Sequence, residues 1–255
     1  MQTMNPCPDL GSMMKKLRLS GMNHTLAQRN KQAIDNQLSY TDFFGLLLQD
    51  EILRREQSRF SQLIRQAGFQ GEKTIENFDF DFNPKINRAL VKDLATCRFI
   101  EEKAPVLIVG SCGTGKSHLA QALGHCAIRQ QHGVIFTNQT QLKQTLDDAK
   151  AIGQYQKVFT KLTHVPLLLI DDLGLKPLKP AEEEYLHDLI NYRYEQRSTI
   201  VTSNLDCSEW QDAFSNKLLG AATIDRLQHG AYQLILEGKS YRAARFANSE
   251  STEKR

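Results

Sequence analysis

The hydrophobic pattern changes texture along the chain. From Met13 to about Ala67, apolar residues recur at helical spacing among many charged ones. Tyr40-Thr41-Asp42 opens the clearest helix, with Phe43, Phe44, Leu47, Leu48 and Ile52 on its apolar side and Leu63 and Ile64 extending that side. Residues 1–12 hold two prolines and a glycine and read as a loose leader. The helical pattern stops between Gly68 and Pro84. There acidic and aromatic residues alternate (Phe78, Phe80, Phe82), which reads as an ordered linker. A further helix is expected over Lys85 to Glu101.

From Pro105 onward, short apolar runs alternate with amphipathic ones. Strands are expected at Val106–Val109, Gly133–Thr137, Leu167–Ile170, Thr199–Thr202 and Tyr232–Leu236. Helices are expected at Lys116–Gln130 and Pro180–Glu195, with Pro180 at a permissible first-turn position. Gln139–Thr163 reads as one or two helices interrupted near Gly153. Strand–helix alternation implies an α/β fold with a parallel sheet and right-handed crossovers. The organisation expected is an N-terminal all-helical domain over 1–67, an α/β domain over 68–242 and a disordered polar tail over 243–255.

Composition narrows the class. A chain of 255 residues can bury one sizeable core plus a smaller appendage. No apolar run is long enough to cross a bilayer, and no basic segment followed by an apolar run opens the chain. The compartment expected is therefore the cytoplasm. Five scattered cysteines without a Cys-x-x-Cys pair fit reduced thiols and give no zinc pattern. The net charge of +3 is too mild to establish nucleic-acid binding by itself, although Lys15, Lys16 and Arg18 cluster, as do Arg54, Arg55, Arg59 and Arg65.

The chemistry begins at Gly110-Ser111-Cys112-Gly113-Thr114-Gly115-Lys116-Ser117, which matches the eight-residue phosphate-loop pattern. Glycines let the backbone turn so that successive N–H groups face a β-phosphate, and the following helix adds its positive end. Lys116 would neutralise the β- and γ-phosphates of ATP, and the Ser117 hydroxyl would bind Mg²⁺. Cys112 fits this loop by its small size.

Leu167 to Ile170 runs into Asp171-Asp172. Adjacent acids at a buried strand end are unfavourable unless a cation or donor meets them. With that strand beside the phosphate-loop strand, Asp171 would lie near Mg²⁺ and Asp172 would polarise the attacking water. The next strand ends at Thr202-Ser203-Asn204, where Asn204 either orients that water or simply caps a turn. Arg226 in Asp225-Arg226-Leu227 and Arg242 in Ser240-Tyr241-Arg242 are candidates for stabilising phosphoryl-transfer charge, or ordinary surface cations.

Taken in order, Lys16-Leu-Arg-Leu-Ser-Gly-Met22, Gly110 to Leu119, Ile170-Asp-Asp-Leu-Gly174, Arg197 to Asn204, Asp225-Arg-Leu227 and Gly238-Lys-Ser-Tyr-Arg242 resemble the IstB family. Its members are AAA+ P-loop NTPases encoded beside the transposase of insertion sequences, similar to DnaC-type helicase loaders and the DnaA initiator. The resemblance covers roughly 13–242. It implies ATP-dependent self-assembly into a homo-oligomer on duplex DNA and targeting or stimulation of a partner transposase, with no membrane role. It assigns Lys116, Ser117 and the loop through His118 to nucleotide binding, and Asp171 and Asp172 to the Walker B position. Asn204 falls at sensor 1, Arg226 looks like an arginine finger, and Arg242 is a second arginine near the nucleotide. Many AAA+ proteins carry Asp-Glu where this chain has Asp-Asp. The stretch Gln139–Thr163 sits where initiator-type relatives insert a DNA-tracking helix. That makes Lys143, Lys150, Lys157 and Lys161 candidate phosphate contacts, or a solvated helix face.

Three other readings stay open on the residues alone. A DnaC-type helicase loader shares every catalytic motif. A small-molecule kinase shares the phosphate loop but leaves Asn204 and Arg226 without a role. An ATP-locked, non-hydrolysing DNA scaffold differs only in turnover.

Overall fold

The computed structural model describes residues 9–241 and 243. The contacts within the chain divide it into two units at Gln62–Leu63, inside the third helix. In the first unit, α1 (Leu10–Lys16) and α2 (Ser20–Asp35) precede α3 (Tyr40–Ala67). A carboxylate from α3 caps α2: Glu51 accepts the backbone N–H groups of Gly21 at 2.6 Å and Met22 at 3.3 Å. These are orphan donors of a helix start, so a tertiary contact supplies the cap that Leu19 cannot. Arg29 and Asp50 also tie α2 to α3, at 2.7 Å.

The expected apolar side of α3 divides. Leu47 is buried, whereas Phe44 and Ile52 are 54% and 56% exposed. Residues four apart on a helix advance about 40° around its axis, so the row Phe44, Leu48, Ile52 winds away from the face that Leu47 and Glu51 bury.

The second unit opens with α4 (Arg88–Ala95) and α5 (Arg98–Glu101). The single helix expected over Lys85–Glu101 is broken by Cys97, which takes a left-handed backbone (φ 61°). Five strands follow: β1 (Val106–Gly110), β2 (Val134–Asn138), β3 (Leu167–Asp171), β4 (Ser198–Ser203) and β5 (Tyr232–Leu236). Their order is β2-β3-β4-β1-β5, and every pairing is parallel. β3 and β4 are buried along their whole length and β1 up to Gly110, as strands covered on both faces must be, although β4 carries hydroxyl side chains at both of its ends.

That order corrects one expectation. β3 does not lie beside β1, because β4 pairs with both and separates them. The crossover through α6 (Lys116–Arg129) carries the chain from β1 to the far edge at β2, and β3 and β4 then fill the space back toward β1. The carboxyl ends of β1, β4 and β3 still come together, because Val109 is level with Ser203 and Ile170 with Val201.

Between β2 and β3 lie α7 (Gln139–Ala151) and α8 (Tyr155–His164), parted at Gly153 as expected. Both bury apolar faces in the core through Leu142, Leu146, Phe159 and Leu162. α9 (Pro180–Arg193) starts at its proline. A short 3-10 turn (Trp210–Ala213) and α10 (Lys217–Gln228) complete the unit, and neither was expected from the sequence. Among the described residues, no helix is long and apolar enough to cross a membrane.

Candidate nucleotide-binding site

The loop from β1 to α6 wraps a cavity of about 510 Å³. Cys112 to His118 form one wall, Asp172, Leu175 and Asn204 another, and the segment Lys73–Asn83 with Tyr241 closes the remainder. Gly113 and Gly115 adopt φ of 80° and 101°, a region that L side chains rarely enter. Close neighbours reinforce that choice. A Cβ on Gly113 would fall 2.2 Å from Ser240 Oγ, and one on Gly115 would fall 2.7 Å from the Phe78 ring. The loop is also pinned from the C-terminal side, where Tyr241 N–H donates to the Gly113 carbonyl at 2.9 Å.

Lys116 opens α6 and is only 5% exposed. Its ammonium donates to the Ser111 carbonyl at 2.7 Å, so it folds back over the loop that it serves. The Thr114 hydroxyl donates to the same carbonyl at 2.9 Å. Ser117 follows in the first turn of α6, half-buried on the cavity wall.

Asp171 ends β3, is 6% exposed, and accepts a hydrogen bond from the Thr202 hydroxyl on β4 at 2.5 Å. Asp172 is half-buried, lines the cavity and takes a left-handed backbone (φ 55°). Asn204, one residue past β4, lines the same cavity. The loop, Asp172 and Asn204 are thus brought together, with Asp171 directly behind them.

Arg226 is not part of this cluster. It lies in the last turn of α10 and donates to the Ala222 carbonyl at 2.8 Å. It lines a separate cavity of about 360 Å³ at the amino ends of β1, β4 and β5, with Pro105, Thr199 and Tyr232. β1 runs five residues between the two ends, which is about 16 Å. Arg242 lies outside the described residues. Lys143 is paired with Asp147 at 2.5 Å, whereas Lys150, Lys157 and Lys161 are exposed on α7 and α8.

The aromatic linker supplies what the motifs alone do not. Phe78 packs against the Gly115 backbone and edge-on to His118, at 5.2 Å between ring centres. His118 holds the strap in turn through its Nε2 and the Thr74 carbonyl, 2.8 Å apart. Phe82 meets Tyr241 edge-on at 4.9 Å. Phe80 instead sits under the Arg88 guanidinium. The ordered linker expected from the alternating acids and aromatics thus places Phe78 and Phe82 on the cavity wall. Asn77, Asp79, Asn83 and Tyr241 were not anticipated there. The signal available for them was adjacency to the aromatic run and to Ser240.

A parallel sheet of this order, with a phosphate loop after an interior strand, β1, and an acidic end on the strand two places away, defines an AAA+ P-loop protein. The chain belongs to the IstB-like ATP binding protein family, whose pattern matches residues 12–249. It is 33% identical to a protein named as an ATP-binding protein of insertion sequence IS21 from Pseudomonas aeruginosa, over 92% of this chain and 88% of that one. It is 32% identical to its counterpart in insertion sequence IS232 of Bacillus thuringiensis subsp. berliner, over 93% and 95%. Among solved structures, the replication initiator DnaA bound to AMPPCP and single-stranded DNA is similar in fold. Its TM-score is 0.56 at 24% identity, covering 68% of this chain and 52% of that one. The DnaC helicase loader gives a TM-score of 0.52 at 26% identity, covering 59% and 89%.

Proposed function

We propose that this protein hydrolyses ATP within a head-to-tail assembly on duplex DNA, and that the assembly targets or regulates the transposase of the same insertion sequence. One observation carries the reading. The loop, the acids and Asn204 meet at the carboxyl end of the sheet, whereas Arg226 lies at the amino end. Among the described residues, no arginine lines the nucleotide cavity. Phosphoryl transfer develops charge that a guanidinium stabilises well, and a second copy can bring Arg226 to the first copy's cavity. Repeated in one direction, such a contact generates a ring or helix.

In this reading Lys116 and the loop N–H groups bind the phosphates, Asp172 accepts the water's proton and Asn204 orients that water. The Ser117 hydroxyl and the Asp171 carboxylate are hard oxygen donors suited to Mg²⁺. When bound, the ion supplies charge neutralisation on the β- and γ-phosphates. Phe78, Phe82 and Tyr241 offer apolar surface for the base.

A chain of net charge +3 has little excess positive charge to offer DNA on one copy, and assembly multiplies it. Duplex binding should therefore require ATP, grow with duplex length and weaken steeply with salt. Mobility shifts on duplexes of increasing length, with ATP, ADP or neither, test this. Tight, salt-insensitive binding to a short duplex without nucleotide would overturn it. Likeness to the DnaC loader supports helicase loading as a second reading. Stimulation of turnover by a replicative helicase, and not by the transposase, would favour that alternative.

A further inference from the structure

Thr202 is 1% exposed on β4, yet its hydroxyl touches both acids of the neighbouring strand end. It donates to Asp171 Oδ1 at 2.5 Å and accepts the backbone N–H of Asp172 at 2.9 Å. A hydroxyl has one proton, and a backbone N–H can only donate. The proton must therefore face the carboxylate, and the rotor has one orientation. One oxygen of Asp171 is thereby turned toward β4. The backbone of Asp172 is held in a left-handed conformation that a non-glycine residue otherwise avoids.

The same strand end is fastened twice more. The Thr202 carbonyl accepts the N–H of Leu173 at 2.8 Å. Ser203 Oγ donates to the Leu173 carbonyl at 2.7 Å and accepts the N–H of Leu205 at 3.1 Å, so its bonds bracket Asn204. Residues 171–173 and 202–205 thus form one hydrogen-bonded piece.

We propose that Thr202 is a positioning residue for ATP hydrolysis. It fixes Asp171 and Asp172 relative to each other and couples both to the strand end that carries Asn204. A displacement of Asn204 by a terminal phosphate then moves the acids with it. This rests on the ATPase reading above. A merely structural threonine would affect melting temperature, without selective effects on turnover.

The test uses the full chain with Thr202→Val, Thr202→Ser and Thr202→Cys. Steady-state hydrolysis is followed against ATP and Mg²⁺, fluorescent-nucleotide binding is titrated, and melting is recorded. Thr202→Val should lower kcat roughly tenfold to hundredfold, the scale of one hydrogen bond to a charged group. KM and nucleotide affinity should stay within about twofold, and half-maximal Mg²⁺ should rise several-fold. Thr202→Ser should retain turnover, and Thr202→Cys, with its weaker donor, should fall between even if the valine variant does not fold. In an Asp172→Asn background, Thr202→Val should add far less than it does alone. Wild-type turnover in the valine or cysteine variant overturns the proposal. So does a loss that tracks weakened nucleotide binding and that serine does not restore. Absence of hydrolysis by the wild-type protein would instead overturn the ATPase reading, and the proposal with it.

Discussion

The two ends of one parallel sheet have opposite characters. At the carboxyl end, glycine backbone, Lys116 and short hydroxyl side chains surround a cavity of about 510 Å³. At the amino end, Arg193, Arg197 and Arg226 gather near one another. Their donors turn largely to main-chain oxygens. Arg193 is almost wholly buried, and its guanidinium donates to the carbonyls of Leu162, Thr163, Val165 and Ser198 and to the Thr199 hydroxyl. Burial pulls its pKa down to about 9, which still leaves it charged at neutral pH. It ties the α8–β3 turn to α9 and β4 with all three of its guanidinium nitrogens engaged. Arg226 is different, because it is half-buried and, among the described residues, donates only to Ala222. The amino end thus holds one arginine that knots the fold and another with donors to spare. Of these two, Arg226 is the one whose donors suit the proposed contact with a neighbouring copy.

The largest effect should come from the carboxyl end. Lys116→Ala removes the one lysine of the loop and its charge, so ATP affinity should fall by roughly 100-fold or more, with hydrolysis lost. Isothermal titration checks this, and unchanged affinity would move the nucleotide elsewhere. The amino end should be untouched: the variant's Arg226 should still serve another copy.

Arg226→Ala should show the mirror image. Nucleotide binding by the single chain should stay within about twofold of wild type, because β1 separates Arg226 from its own loop by about 16 Å. Hydrolysis in the assembled state should fall roughly tenfold to hundredfold. Mixing sharpens the comparison. Lys116→Ala chains, intact at Arg226, should restore turnover in Arg226→Ala chains, which keep a working loop. No recovery at any ratio would mean that the two ends do not meet across copies.

The two ends were not equally legible in the sequence. The loop could be read because its eight residues are contiguous and each glycine or lysine has a local reason. Asp171-Asp172 and Asn204 could be read because each follows a run with the length and β-branched or aliphatic content of a strand. Their neighbourhood could not be, since strand order is decided by where α6 crosses, which no local pattern encodes. Thr202 was part of a noted motif, but its bonds to both acids depend on β4 lying beside β3. α10 escaped because it packs with small or polar residues, Gly220 and Thr223 beside Ile224 and Leu227, so its apolar periodicity is weak. On α3, the helix was legible but not which of its apolar residues are covered, since that depends on where α2 crosses it.

The smallest effect concerns the strap that closes the carboxyl end. Glu76 lies two residues before Phe78 and grips Arg129 at the end of α6 through both oxygens, at 2.5 and 3.2 Å. The Arg129 guanidinium holds the Glu76 carboxyl down at about 2, well below its ordinary 4.5. A depressed carboxyl contributes fully above its unfolded pKa and loses that contribution as pH falls through the folded one. The clasp is therefore complete above about pH 4.5 and is lost as pH falls from there through about 2. Both side chains are about half exposed, so solvent weakens the pair. Glu76→Gln should weaken nucleotide binding only about two- to threefold, by loosening the approach of Phe78 to Gly115. The offset from wild type should be equal at pH 7.5 and pH 5.5, because the clasp is intact at both. An offset that disappears at pH 5.5 would mean that the carboxyl is raised above its ordinary value instead of held below it. Mixing with Lys116→Ala chains should leave the trans contribution of Arg226 in the glutamine variant unchanged, since that contribution comes from the opposite end of the sheet.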